Sequence, residues 1–225
     1  LKSFIEKCKS NGQIGGIYWT PFTDWARDPE RTVDAAPEYK YKDIYLYANG
    51  KPQELDGAYA VDPTHPAVEA MMKKTSGLFH RAGFEYVKMD FMTHGAMEAD
   101  KWYNPEITTG IQGYNYGMKL LNQYFGDMYI NLSISPVFPA QYAQSRRIAC
   151  DAWNQIKDTE YTLNALSYGW WQKYIYQYND ADHIVLRDAT DGENRARITS
   201  GVFTLQETIS VREEEKTPKR SHRNI

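Results

Sequence analysis

The chain has 225 residues and 26.1 kDa, with a formal net charge of -3 and an isoelectric point near 6.0. That length is ample for a buried core, in one large domain or two small ones. Mean hydropathy is -0.67, no apolar run approaches the ~20 residues of a membrane span, and no global positive field marks a binder of nucleic acid or anionic lipid. Two cysteines, Cys8 and Cys150, allow one bridge at most. The five histidines are scattered without zinc-type spacing, and neither a metal nor a cofactor is expected. Aromatic residues reach 14%, with 18 Tyr and 6 Trp. Flat rings stack on sugars and on bases, and equally they fill cores.

At the N-terminus, Leu1, Phe4, Ile5 and Cys8 recur at helical spacing and Asn11-Gly12 stops the run. This reads as an amphipathic helix inside a domain rather than a targeting sequence, so the compartment is not written there. Ile14 to Phe22 (IGGIYWTPF) predicts a buried strand running into a loop. In the long stretch that follows, Ile44 to Tyr47 and Gly57 to Val61 flank Asn49-Gly50, which predicts a small hairpin. Pro66 suits a first helical turn, and Ala67 to Ala82 shows helical spacing up to a stop at Gly83.

Phe84 to Phe91 (FEYVKMDF) predicts the next strand. Ile111 to Phe125 predicts a helix ending before Gly126. Met128 to Ile134 is a third strand candidate, Ile148 to Trp153 a fourth and His183 to Leu186 a fifth. Asp158 to Tyr168 and Glu193 to Phe203 predict the helices between and after them. Repeated strand–helix alternation implies an α/β fold of parallel strands with helical crossovers. A (β/α)8 TIM barrel, incomplete at both ends, is the leading architecture. A doubly wound sheet is the alternative, and it would want a G-x-G-x-x-G turn that the sequence lacks. Residues 1–211 are expected to form the barrel domain, with a hairpin-bearing insertion around 23–63. The charged stretch 212–225 is expected to be a solvated, disordered tail.

In a barrel the catalytic groups sit at the C-terminal ends of strands, where the loops converge. Asp90 ends VKMDF, and period two places Lys88 on the same face. An inward ammonium would favour the carboxylate, as an ionised nucleophile needs; a structural ion pair is the competing reading. Asp151 follows Arg147 by four residues and precedes Trp153. Desolvation would hold a proton on such a carboxyl, while the Arg would oppose it and could grip a substrate hydroxyl instead; a buried Asp–Arg pair is the plainer reading. Asp180 and Asp182 lie in Asn179-Asp180-Ala181-Asp182, read as preceding a strand, where they cap turns or bond to hydroxyls. Ser133 and Ser135 lack a G-x-S-x-G turn and read as pocket lining.

Together, the K-x-D strand end at Asp90, the R-x-x-x-D segment from Arg147 to Asp151, the N-D-x-D segment from Asn179 to Asp182 and the early Gly16-Ile17-Tyr18 strand resemble the retaining α-galactosidases, the melibiase group of glycoside hydrolases. The resemblance runs from about Gly15 to Ser200. It implies a (β/α)8 barrel, Asp90 as nucleophile and Asp151 as general acid/base. It further implies that Tyr18, Trp19, Lys88, Ser133, Arg147, Trp153 and Asp182 contact the sugar, with core packing as the alternative for the indoles of Trp19 and Trp153. The implied substrate is a terminal α-linked galactoside of an oligosaccharide or polysaccharide, in a secreted, periplasmic or lysosomal-type compartment. Related activities on the same scaffold are α-N-acetylgalactosaminidase, α-glucan hydrolase and β-L-arabinopyranosidase, and a non-catalytic sugar-binding barrel is a further alternative. The chain departs from the family pattern at Ala181 and His183, where Pro and Met are usual. Its NLSISP strand end lacks the Cys-Glu-Trp of eukaryotic members, and it carries no counterpart of the family's early Asp-Asp pair.

Overall fold

The computed structural model of the chain describes residues 1–153, 155–186 and 188–202. The stretch 212–225 and Phe203, the end of the last predicted helix, lie outside the described residues. The chain divides into two compact units, Leu1–Ala143 and Gln144–Ile225.

The first unit opens with α1 (Lys2–Ser10), which seats Ile5 in the core, and β1 (Gly16–Trp19). The predicted insertion follows. It contains β2 (Thr23–Asp24), a helical turn α2 (Tyr41–Ile44), β3 (Tyr47–Ala48), β4 (Lys51–Pro52), β5 (Glu54–Leu55) and β6 (Ala58–Ala60). Asn49-Gly50 does make a hairpin, but the strands it joins are β3 and β4. A second tight turn, Asp56-Gly57, joins β5 to β6, and β6 also pairs with β2. Both turns hold two consecutive residues at positive φ: 52° and 71° in the first, 51° and 83° in the second. This is the primed geometry that matches strand twist and that Asn-Gly and Asp-Gly supply.

Next come α3 (Pro66–Ala82), β7 (Tyr86–Met89), α4 (Gly110–Phe125) and β8 (Tyr129–Leu132). The α3 N-cap is the His65 side chain, whose Nδ1 accepts the Ala67 N–H at 3.1 Å. At α4, Thr109 and Gln112 form a reciprocal capping box. Strands β1, β7 and β8 are parallel in that spatial order, with α3 and α4 as crossovers. The register places Tyr18, Lys88 and Asn131 in one row and Trp19, Met89 and Leu132 in the next. Alternation then divides the sheet into two faces. One carries Trp19, Val87, Met89, Ile130 and Leu132 into the core, against Val68, Met72 and Phe79 of α3 and Met118, Leu121 and Phe125 of α4. Burying each such side chain contributes about 1.5–3 kcal/mol. The other face carries Tyr18, Lys88, Asn131 and, one step further along each strand, Asp90 and Ser133.

The second unit holds β9 (Ser145–Arg147), α5 (Ile156–Tyr168), β10 (Tyr178–Asp180) and α6 (191–202), with β9 and β10 parallel. Here the strands differ from those expected. Ile148–Trp153 and His183–Leu186 are irregular, and the strands are the polar segments just before them. Apolar periodicity misses two strands whose buried positions are Ser145 and Arg147 in β9 and Asn179 in β10. The fold supplies partners for such groups, as Asp182 and Asp151 do for Nη2 of Arg147. The correction moves the N-D-x-D segment from before a strand to the end of one.

Candidate active site

Within the first unit, Asp90 follows β7 directly, and its N–H donates to the Trp19 carbonyl at 2.9 Å, extending the β1–β7 pairing by one residue. Both carboxylate oxygens of Asp90 have a donor. The Tyr18 hydroxyl donates to Oδ2 at 3.1 Å and the Phe91 N–H to Oδ1 at 2.7 Å. Among the described residues Asp90 takes these bonds rather than an ion pair with Lys88. The expected ammonium–carboxylate contact is therefore not made, although both groups share the face. A tyrosine one strand away reaches the carboxylate instead.

Ser133 is buried on this face; its N–H bonds to the Met89 carbonyl and its own carbonyl accepts from the Met92 N–H. Asn131, in the row of Tyr18 and Lys88, is also buried, and its amide donates to the Tyr86 hydroxyl at 2.7 Å. Asn131 was not among the candidates, although a polar residue inside the apolar strand MYINLSI signals a polar environment on one face. Trp19 lies on the opposite face. Its indole stacks on Phe125 at 5.8 Å and meets Phe79 edge-on at 6.4 Å. Of the two readings left open for it, core packing is the one the geometry gives.

Within the second unit, Arg147 is the centre of a carboxylate cluster. Its Nη2 lies 2.7 Å from Asp182 Oδ2 and 2.9 Å from Asp151 Oδ1. The Arg147 and Asp182 side chains are 5% and 7% exposed, whereas Asp151 is 65% exposed. The buried partner of the arginine is thus Asp182, and among the described residues nothing desolvates Asp151 as one reading expected. Asp182 also accepts the Ala152 N–H at 2.7 Å and lies 3.0 Å from His183 Nδ1. Burial pushes its carboxyl up, but the Ala152 and His183 N–H groups, the Arg147 charge and His183 outweigh this and hold it below the ordinary carboxylate range. Asp182 adopts φ 73°, a region Asp tolerates better than most residues, with its N–H on Asp180 Oδ1 at 2.8 Å. Turn capping and charge pairing therefore coexist in the N-D-x-D segment. Trp153 is exposed, with its N–H on Asp158 Oδ2, at the edge of a small cavity of about 30 Å³ that Asp182 and His183 also line. Among the described residues no cluster of three His, Cys, Asp or Glu stands ready for a metal ion, and no helix is long and apolar enough to cross a membrane.

Each unit thus presents carboxylates at or just beyond the C-terminal ends of parallel strands, where a barrel places its chemistry. The solved structures give the fold. An α-galactosidase from Thermus thermophilus in complex with stachyose superposes with a TM-score of 0.69 over 97% of this chain and 52% of its own, at 19% identity. A GH27 β-L-arabinopyranosidase from Geobacillus stearothermophilus gives 0.55 over 81% and 41%, at 17% identity. A GH36 α-galactosidase from the same organism gives 0.54 over 95% and 33%, at 12% identity. The fold is that of a partial (β/α)8 barrel. The chain spans about half the length of the first of these structures. No family model and no curated protein matches the sequence.

Proposed function

We propose that the chain is part of a glycoside hydrolase that removes terminal α-linked galactose with retention of configuration. The observation that carries this reading is Asp90, a carboxylate at the end of a parallel strand with each oxygen fixed by a donor and its face lined by Tyr18, Lys88 and Asn131. Asp90 attacks the anomeric carbon, and the bond to the leaving oxygen breaks with its electron pair going to that oxygen. Asp151 gives the leaving oxygen its proton. Asp151 then takes a proton from water as the water oxygen bonds to the anomeric carbon and the Asp90 ester breaks. Retention requires the two carboxyls to work ~5–5.5 Å apart. A bound sugar covers the exposed Asp151 and withdraws it from water. Arg147 and Asp182 hold hydroxyls near the reacting centre, where bonds that tighten in the transition state help most. Lys88 and Trp153 complete the sugar contacts, and the segment 23–63 is an insertion in this catalytic domain.

The sugar specificity rests on the resemblance in the sequence and on neighbours whose names include α-galactosidase. A second reading, a β-L-arabinopyranosidase, is favoured by the neighbour of that name. A panel of nitrophenyl glycosides separates the two. Asp90→Asn is expected to abolish turnover with the circular dichroism spectrum unchanged, and appreciable residual hydrolysis of an activated galactoside would exclude the nucleophile role. Asp151→Asn is expected to spare glycosylation by substrates with good leaving groups and to slow poor ones severely; equal losses on both argue against an acid/base.

A further inference from the structure

The first unit contains a cavity of about 620 Å³ whose lining does not include Asp90. Tyr45 and Tyr47 line it from the 23–63 insertion, Trp102 and Tyr103 from the loop between β7 and α4, and Asp62 and His65 from the entry to α3. The loop is tied to that entry: the Tyr103 N–H donates to Asp62 Oδ2 at 2.6 Å and the Asn104 N–H to Thr64 Oγ1 at 3.1 Å. His65 is 4% exposed, flanked by the rings of Tyr39 at 4.8 Å and Tyr103 at 4.6 Å. Because its Nδ1 accepts the Ala67 N–H, the neutral imidazole carries its proton on Nε2. Nε2 has no hydrogen-bond partner among the described residues, yet it is not sealed from water-sized space. A buried ring thus offers one N–H donor to the cavity that it lines.

The charges around the cavity narrow the ligand. Lys42 is paired with Glu30 at 2.8 Å, and Asp43 accepts the Lys40 N–H at 2.8 Å. Lys101 has no ion pair among the described residues. Asp43 and Asp62 line the same space, so a phosphate or carboxylate would meet like charge. A wholly apolar ligand would bury the His65 donor without an acceptor. A neutral ring that has both hydroxyls and C–H faces suits the lining of aromatic rings and few polar groups. We propose that this cavity is a second sugar site, which holds a neutral pyranose with a hydroxyl accepting from His65 Nε2–H and a C–H face against Tyr103. The site goes beyond the hydrolase reading and does not depend on it.

The experiment follows the His65 imidazole and Trp102 indole N–H signals of this chain by NMR as methyl α-D-galactopyranoside, methyl α-D-glucopyranoside or glucuronate is added. At least one of the two neutral glycosides is expected to shift both signals saturably, at concentrations on the order of millimolar for a ligand of so few atoms, with glucuronate binding more weakly. Tyr103→Ala, which removes an exposed ring, is expected to weaken binding about tenfold, while Tyr103→Phe keeps most of it. His65→Asn keeps an acceptor for the Ala67 N–H but loses the Nε2 donor, and is expected to weaken binding about two- to tenfold. Asp90→Asn leaves the shifts and their midpoint as in wild type. Circular dichroism confirms that each variant is folded. The proposal is overturned if neither glycoside moves the two signals, if glucuronate binds more tightly than both, if Tyr103→Ala and His65→Asn bind as wild type does, or if Asp90→Asn removes the response. Turnover is scored separately. Shifts at His65 and Trp102 without hydrolysis of any glycoside leave this site standing and sink the hydrolase reading; hydrolysis with both signals silent does the reverse.

Discussion

Replacing Asp182 by Asn tests the charge logic of the second unit. The Arg147 guanidinium is 5% exposed and has two carboxylate partners, of which only Asp182 is buried. Removing one member of a buried pair outright costs about 3–5 kcal/mol, because the other charge is left uncompensated. Asn keeps the shape and an acceptor for the Ala152 N–H, and Asp151 still pairs with the arginine, though an exposed pair is worth only about 0–1 kcal/mol. The expected loss for Asp182→Asn is therefore about 2 kcal/mol at pH 7, the scale of a hydrogen bond to a charged group. For a chain of this size that lowers Tm by roughly 4–8 °C. The pH dependence fixes the cause. The folded carboxyl titrates below its ordinary value of 3.8, so its stabilisation is fully present above about pH 5 and is lost as pH falls through the folded value. Wild type should lose stability faster than Asp182→Asn on acidification, and the gap between them should narrow as pH falls below 3.8. Thermal and denaturant unfolding followed by circular dichroism at pH 7 and pH 3 measures this. No gap at pH 7, or an equal gap at both values, refutes the assignment of a stabilising charge to Asp182.

At the start of α3, burial pushes the His65 imidazole below its ordinary 6.5, with Asp62 and Asp43 opposing the shift, and its Nδ1 serves as the cap acceptor only when unprotonated. A depressed folded value means stability present above pH 6.5 and lost as pH falls through that lower value; His65→Asn caps without titrating and should flatten this part of the stability profile, while His65→Ala should cost about 1 kcal/mol at neutral pH. Unfolding midpoints at pH 7.5 and 5 compare them, and identical slopes for wild type and His65→Asn would remove the cap from the explanation. Gly110 begins α4 where a Cβ would land on the Ala96 carbonyl oxygen, in the turn that follows Asp90. Gly110→Ala should lower stability by about 1–3 kcal/mol through overpacking, measured as a drop in Tm; an unchanged Tm would mean that the turn yields freely.

Much of the first unit was legible locally. Pro66 and Gly83 bracket α3, and Gly126 ends α4, because caps and stops act through bonds within a few residues. The K-x-D strand end put Lys88 and Asp90 on one face through the two-residue pleat alone, and the same pleat separates Tyr18 from Trp19. The tertiary structure decided whatever depends on partners distant in the chain. Strands β9 and β10 escaped the hydrophobic pattern because Arg147 and Asn179 are buried as polar groups, which only the assembled unit can satisfy. Arg147 chose Asp182 as its buried partner and left Asp151 in solvent, although Asp151 is nearer in sequence. The Lys88–Asp90 pair gave way to Tyr18, and an indole from another loop, Trp25, packs edge-on against the Phe91 ring. Composition and periodicity encode which surface a residue faces; which group it meets there is set by chain closure, and that is where this protein's candidate chemistry is decided.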